Sequence, residues 1–324
     1  KDMEFVQFYP MVRVKGGQAR MIIPAVLADI GKIKNKQGED LKEKYNLIEK
    51  PIALASRDRF ARALFMEISR GEGIDGAIHL DLQGIKDSEI PFTKEIIEIL
   101  KRKLAYHKKP VRIAPSCHHT MGGIGIDEYG RTSMKGLFAA GEVVGGIHGA
   151  NRMGGNALSE SAVFGVLAAR SACTSVLPEV SSNRFQSLAE KSARETIDQR
   201  FSEGRKPFVA SSLMSRIKTV LWEKAGIVRS GLSLKEAVRQ MDEIHMLVQD
   251  QTIDNPKDLC RLIECKNAAL TGRAIAVAAL ERTESRGSHY REDYDRESED
   301  WVQHIHVRLK EGVPRVSRVV PIET

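Results

Sequence analysis

Residues 145–158 read GGIHGANRMGGNAL, and they are the most informative stretch of the sequence for the fold. It places Arg152 between two glycine-rich turns, where a guanidinium can bind a carboxylate through two parallel hydrogen bonds. Glycines let the backbone pack closely against a flat ring. We expect a helix to begin near Ala157, with N-terminal amides that favour a negatively charged group. The alternative is a glycine-rich loop with a structural role only.

The flanking residues extend this pattern in both directions. The run Gly136–Gly141 (GLFAAG) predicts a buried strand that ends in a tight turn, and the alanine-rich residues 157–173 predict a helix. Residues 56–71 also predict a helix, because Phe60 and Leu64 recur on one face before Gly71. From about residue 182 to residue 282, amphipathic patterns predict a helical bundle.

Length and composition set the class of protein. A chain of 324 residues predicts about two domains, and 42% hydrophobic with 29% charged residues is typical of a globular protein. The net charge of +7 is spread over stretches of mixed sign, which favours solvated surface over nucleic-acid binding. No run is long enough to span a bilayer, and four cysteines without a secreted pattern predict reduced thiols and a cytoplasmic location. Because Lys1 runs directly into a strand pattern, we expect the chain to begin inside a larger protein.

Two short motifs resemble a dinucleotide-binding site and a metal site, but neither fits its sequence context. Gly71, Gly73 and Gly76 match a dinucleotide-binding spacing, but they follow a predicted helix and precede a predicted strand, which is the wrong order. Cys117 beside the histidine pair at 118–119 lacks a second ligand cluster at metal-binding spacing, so we predict no metal site.

Three motifs in order carry a family resemblance: residues 118–123 (HHTMGG), 136–142 (GLFAAGE) and 148–158 (HGANRMGGNAL). Together they resemble the FAD-contacting half of the succinate dehydrogenase/fumarate reductase flavoprotein family. Residues 2–8 resemble the start of that family's capping domain, and residues 54–58 resemble its catalytic arginine segment. Residues 282–291 (RTESRGSHYR) are similar to the end of its helical domain.

The resemblance implies a multidomain fold of the α+β and α/β classes, with FAD as the cofactor. Its parts are an α+β capping domain, a glycine-rich partial FAD-binding segment of Rossmann-like type, and a helical bundle domain. The implied boundaries are residues 1–8 for the end of an FAD-binding segment, 9–113 for the capping domain, 114–175 for the C-terminal part of the FAD-binding domain, 182–300 for the helical domain and 301–324 for a tail. The family's Rossmann glycines are expected ahead of Lys1.

The resemblance also assigns roles. Hydride passes between flavin N5 and a dicarboxylate, and Arg57 exchanges a proton with the substrate. His118 and Arg152 match residues that bind a substrate carboxylate. The cofactor-binding positions are Glu142, Asn156, Ala157 and Leu158. An arginine is a weak acid at its ordinary pKa, so this role requires a buried, strongly coupled site.

The chain departs from the family pattern at two places. Tyr9 stands where the family usually has a substrate-binding histidine, and residues 22–31 lack the usual threonine and proton-relay glutamate. One alternative is therefore a divergent member that acts on another acid, as an aspartate oxidase does. Another is a non-catalytic scaffold with a decayed site. The implied partner is an iron–sulfur electron-transfer subunit, with membrane contact only through partner subunits and no nucleic acid bound.

Overall fold

The computed structural model describes residues 1–16, 18–175, 187–188, 190–191, 194, 210–253 and 256–322. They divide into two compact units. The sheet unit comprises Val6–Thr120 and Asn151–Gly155, and the helical unit comprises Lys1–Phe5, Met121–Ala150 and Asn156–Thr324. Residues 182–186 and 195–209, at the start of the predicted helical domain, lie outside the described residues. The finer division into five segments stays a prediction.

An antiparallel sheet forms the framework of the sheet unit. Its strand order is β2-β1-β5-β4-β3. The strands are β1 (Val6–Lys15), β2 (Gln18–Ile22), β3 (Lys32–Lys34), β4 (Ile78–Asp81) and β5 (Val111–Thr120). β1 and β5 are the longest and lie next to each other, so they form the part of the sheet from which site residues project.

The pairing of β1 with β5 contains a bulge at His118. Gln7 pairs with His119 and Phe8 pairs with Cys117, so His118 is one residue more than β1 can match. A bulge places two successive side chains of one strand opposite a single residue of its neighbour and re-aims them. The His118 side chain therefore contacts Gln7, although the residue that pairs with Gln7 in the sheet is His119.

Helices cover the sheet and bury its apolar face. They are α1 (Val26–Ile30), α2 (Leu41–Lys44), α3 (Ile52–Ala55), α4 (Arg57–Ser69) and α5 (Lys94–Leu104). Phe60 and Leu64 of α4 are fully buried against sheet residues such as Ile113, which confirms the predicted helical face. Gly71, with a φ of +76°, follows the end of α4, so the glycine motif there is a helix stop as predicted.

The described residues of the helical unit form four long helices and two small sheets. The helices are α6 (Asn156–Thr174), α7 (Ala210–Lys224), α8 (Gly231–Gln249) and α9 (Pro256–Glu281). Strands β6 (Ile124–Gly125) and β7 (Val144–Gly145) are parallel, and β8 (Gln303–Lys310) and β9 (Val313–Pro321) form a hairpin. Ile217, Leu234, Met241 and Leu262 belong to the apolar core shared by α7, α8 and α9, as expected for a bundle.

The predicted buried strand at residues 136–141 is wrong. This run is a loop in which Leu137 is 46% exposed, and its one pairing among the described residues is an isolated bridge between Arg131 and Phe138. Gly136 and Gly141 both have positive φ values. The backbone hydrogen bonds of the run are local, to residues 130–134 and to Val144, and in the described residues they form no ladder with a neighbouring strand.

A buried cluster of charged side chains and one histidine connects residues of the helical unit that are far apart in sequence. The Nε of Arg282 donates to the Glu4 carboxylate at 2.8 Å, and its Nη1 donates to Glu284 at 2.9 Å. Arg229 Nη1 donates to Nδ1 of His289 at 2.7 Å. Burial lowers the pKa of His289 far below its ordinary value, and the charge of Arg229 lowers it further. His289 is therefore a neutral imidazole that accepts at Nδ1.

Within the parts of the chain that the structure describes, no helix is both long enough and apolar enough to cross a bilayer.

Candidate functional site

The sheet unit brings Arg57, His118 and Arg152 together. Arg57 opens α4, His118 is the bulged residue of β5, and Arg152 belongs to the segment Asn151–Gly155. Arg57 Nη1 donates to the Arg152 carbonyl at 3.3 Å, and Arg152 Nη2 lies 3.3 Å from Nε2 of His118. Arg57 is 4% exposed and Arg152 is 8% exposed. These contacts place all three residues of the predicted substrate set in one cluster.

Arg57 is held in an unusual electrostatic environment. Burial lowers the pKa of its guanidinium, and the neighbouring charge of Arg152 lowers it further. Among the described residues, its buried Nε has no hydrogen-bond partner. A buried donor without a partner costs free energy, which a bound acceptor would recover. Arg57 is therefore a buried cation with one N–H donor that a bound acceptor could use.

Gly154 lets the loop approach Arg57 closely. A Cβ at position 154 would lie 3.3 Å from Nη2 of Arg57 and 3.4 Å from Cδ2 of Leu54. That spacing is tight, so a side chain at 154 would require the Arg57 guanidinium or the Leu54 side chain to shift by a few tenths of an ångström. The glycine at this position therefore supports the geometry of the cluster.

Gln7 and Asn151 also belong to the cluster, although no sequence motif predicts them there. Gln7 Nε2 donates to the Asn151 side-chain oxygen at 2.7 Å and to the Arg152 carbonyl at 2.9 Å. Its Oε1 lies 3.1 Å from Nε2 of His118. Asn151 in turn donates to the Asp58 carboxylate at 3.4 Å. The one sequence signal was a polar residue inside the apolar run of residues 5–8.

Tyr9 lies beside this cluster but keeps its hydroxyl away from it. The Tyr9 hydroxyl donates to the Ile23 carbonyl at 2.9 Å, and the ring centroid lies 5.4 Å from that of His118. Burial raises the pKa of Tyr9 to about 12, so the phenol stays neutral. The residue therefore presents an uncharged ring where the family pattern has a histidine.

The predicted cofactor residues lie in the helical unit, around the start of α6. Asn156 is the first residue of α6, Leu158 is 83% exposed, and Glu142 is exposed. Ala157 is half-buried. The assignment of these four residues to the cofactor stays a prediction.

Glu160 supports the loop that carries Glu142. Glu160 is 7% exposed, and its Oε1 accepts from the backbone N–H of Gly141 at 3.0 Å. No sequence pattern distinguishes Glu160, because it is a single glutamate one turn into an alanine-rich helix. In the described ranges, no group of three or more histidine, cysteine, aspartate or glutamate residues could hold a metal ion.

Two family models match the chain: an FAD binding domain over residues 1–158 and a fumarate reductase flavoprotein C-terminal region over residues 214–320. The chain is 35% identical over 318 residues to one of the subunits of the CoM/CoB fumarate reductase of Methanothermobacter marburgensis, covering 95% of this chain and 57% of that protein. It is 33% identical over 295 residues to an L-aspartate oxidase of Pyrococcus horikoshii, covering 91% of this chain and 52% of that protein.

A solved structure agrees with these matches. A variant of the quinol fumarate reductase of E. coli superposes with a TM-score of 0.83 at 25% identity, covering 99% of this chain and 59% of that one. The fold and the matched domain define an FAD-binding protein. The chain belongs to the succinate dehydrogenase/fumarate reductase flavoprotein family. It spans a little over half the length of the curated relatives it matches.

Proposed function

We propose that this chain is the substrate-binding and flavin-edge part of an FAD-dependent oxidoreductase that interconverts a saturated and an unsaturated small carboxylic acid. The observation that supports this proposal most directly is the cluster of Arg57, His118 and Arg152 in the sheet unit. A buried pair of guanidinium groups beside an imidazole attracts a carboxylate, because charge-assisted hydrogen bonds are strong where water is excluded.

In this proposal, different residues of the chain bind the substrate, exchange a proton with it and contact the cofactor. Bound FAD supplies the hydride donor or acceptor. Arg152 and His118 hold a substrate carboxylate, which fixes the orientation of the neighbouring carbon atoms. Arg57 exchanges a proton with one of those carbons, since its lowered pKa brings it closer to the range of a general acid. Glu142, Asn156, Ala157 and Leu158 would contact the cofactor.

A dicarboxylate is the proposed substrate, and electrons are proposed to pass to or from an iron–sulfur subunit. One relative is named as a subunit of a fumarate reductase, which supports a heteromeric complex. A second candidate is the oxidation of an amino dicarboxylate. The neutral Tyr9 ring and the similarity to an L-aspartate oxidase favour it, because an amino dicarboxylate also carries an ammonium group, which a neutral ring does not repel.

The test compares Arg57→Ala with Arg59→Ala in the full-length protein. Arg59 lies two residues further along α4 and is exposed, so it is a matched control. Turnover is measured with fumarate, succinate and L-aspartate, and an artificial dye supplies or accepts electrons. We expect Arg57→Ala to lower turnover on the preferred acid by about 10²–10⁴-fold, the usual scale for a positioned acid–base group.

Flavin content, thermal unfolding and direct flavin reduction by dithionite should remain as in the parent, because none of them requires a substrate proton. Arg59→Ala should keep full turnover. If Arg57→Ala retains more than about a tenth of parental turnover, Arg57 has no acid–base role of this size. The acid that is turned over decides between the two candidate reactions.

A further inference from the structure

Gln7 contacts His118 and the Arg152 backbone, and it shares the Arg152 carbonyl with Arg57, although no sequence motif marks it. It is 1% exposed, and its amide contacts His118, Asn151 and the Arg152 backbone at 2.7–3.1 Å. We propose that Gln7 is a positioning residue that keeps a proton on Nε2 of His118 and fixes the Arg152 carbonyl against Arg57. Its consequence for substrate binding rests on the function proposed above.

The orientation of the Gln7 amide follows from its neighbours. The Arg152 carbonyl oxygen only accepts hydrogen bonds, so the Gln7 atom 2.9 Å away is the NH₂ nitrogen. Asn151 uses its own NH₂ group toward the Asp58 carboxylate, so its oxygen faces Gln7 at 2.7 Å. These two contacts use both N–H bonds of Gln7. Its carbonyl oxygen is therefore the atom that faces His118.

This orientation determines the tautomer of His118. Gln7 Oε1 can only accept, so Nε2 of His118 at 3.1 Å must carry a proton. Arg152 Nη2, also a donor, lies 3.3 Å from the same nitrogen. Two donors that face each other do not bond, but a carboxylate oxygen beside them accepts from both. With the proton on Nδ1 instead, Nε2 would accept from Arg152 and compete with the substrate.

Gln7 also controls the loop. The Arg152 carbonyl accepts from Gln7 Nε2 at 2.9 Å and from Arg57 Nη1 at 3.3 Å, so Gln7 and Arg57 share one acceptor. Because Gln7 is almost fully buried, water has little access to replace its amide. Removal of the Gln7 donors leaves the carbonyl with one weaker contact and loosens the segment that positions the Arg152 guanidinium.

Two substitutions separate these roles. Gln7→Glu keeps an acceptor for His118 but loses both donors, whereas Gln7→Met keeps the volume and loses all three contacts. Gln83→Glu, the same change at an exposed position of the sheet unit, is the control. The tautomer is measured at pH 8 in the full-length protein by long-range ¹H–¹⁵N spectra of the imidazoles. The His118 signals are identified by their loss in His118→Asn.

We expect a proton on Nε2 of His118 in the parent and in Gln7→Glu, and a mixture of tautomers in Gln7→Met. KM for the preferred acid should rise at least about tenfold in both variants, with a smaller change in kcat, and remain unchanged in Gln83→Glu. A parent spectrum with the proton on Nδ1 overturns the proposal, as does a Gln7→Met protein with parental tautomer and KM.

If a Gln7 variant fails to unfold cooperatively, the parent spectrum alone decides the tautomer. If no acid is turned over, the proposed function fails, while the spectra of the parent and of Gln7→Met still decide whether Gln7 sets the tautomer of His118.

Discussion

Replacement of Arg152 by lysine separates charge from geometry at the site. The Arg152 side chain is 8% exposed, its Nη1 donates to the Met153 carbonyl at 3.2 Å, and its Nη2 lies 3.3 Å from His118. A guanidinium can keep the Met153 contact and direct a second donor toward a ligand. A lysine ammonium keeps the positive charge but lacks the planar fork that matches both oxygens of a carboxylate.

We expect Arg152→Lys to weaken ligand binding more than it lowers the stability of the fold. A charge-assisted hydrogen bond in a site that excludes water contributes about 1.5–3 kcal/mol, so the dissociation constant should rise roughly ten- to hundredfold. The free energy of unfolding should change by less, about 1 kcal/mol, because the variant loses one neutral-acceptor contact to a backbone carbonyl and keeps its charge. The assay is calorimetric titration of the full-length protein with fumarate, succinate and L-aspartate, alongside urea unfolding.

Arg59→Lys is the matched control, since Arg59 is exposed on the same unit, and its binding should equal that of the parent. An Arg152→Lys protein that binds the preferred acid as tightly as the parent would refute the assignment of Arg152. A loss of stability as large as the loss of binding would mean that the residue supports the fold more than the ligand.

Two further substitutions test single contacts. Tyr9→Phe should lower the free energy of unfolding by about 1–2 kcal/mol, because the Ile23 carbonyl loses its donor, and should leave turnover nearly unchanged; a tenfold fall in turnover would show that the hydroxyl takes part in the reaction. The second concerns His289, whose pKa in the folded protein lies well below 6.5, so the unfolded chain binds more protons below that pH and stability falls as the pH drops. His289→Gln should remove about 1 kcal/mol of this loss between pH 6.5 and 5.5, measured by urea unfolding, and an unchanged slope would contradict the buried neutral imidazole.

The local elements of this protein follow from the sequence. Phe60 and Leu64 recur at helical spacing, so a helix with one buried face is the stable local solution, and Gly71 ends it. The start of α6 follows in the same way from the glycine-rich stretch before Ala157. The family resemblance, which depends on short motifs in a fixed order, is also determined by the sequence, and the domain matches confirm it.

The arrangement of the site was decided only by the tertiary structure. Gln7 bonds to Asn151 across 144 positions of the chain, and Arg57 bonds to Arg152 across 95. The bulge that turns His118 toward Gln7 arises from the register between β1 and β5, which neither strand specifies alone. The sequence predicts a strand at residues 136–141, but the structure has a loop there. An apolar run becomes a strand only where a neighbouring strand satisfies its hydrogen bonds. Side-chain periodicity is a local property of the chain, whereas pairing partners and buried polar contacts depend on which distant backbone packs alongside.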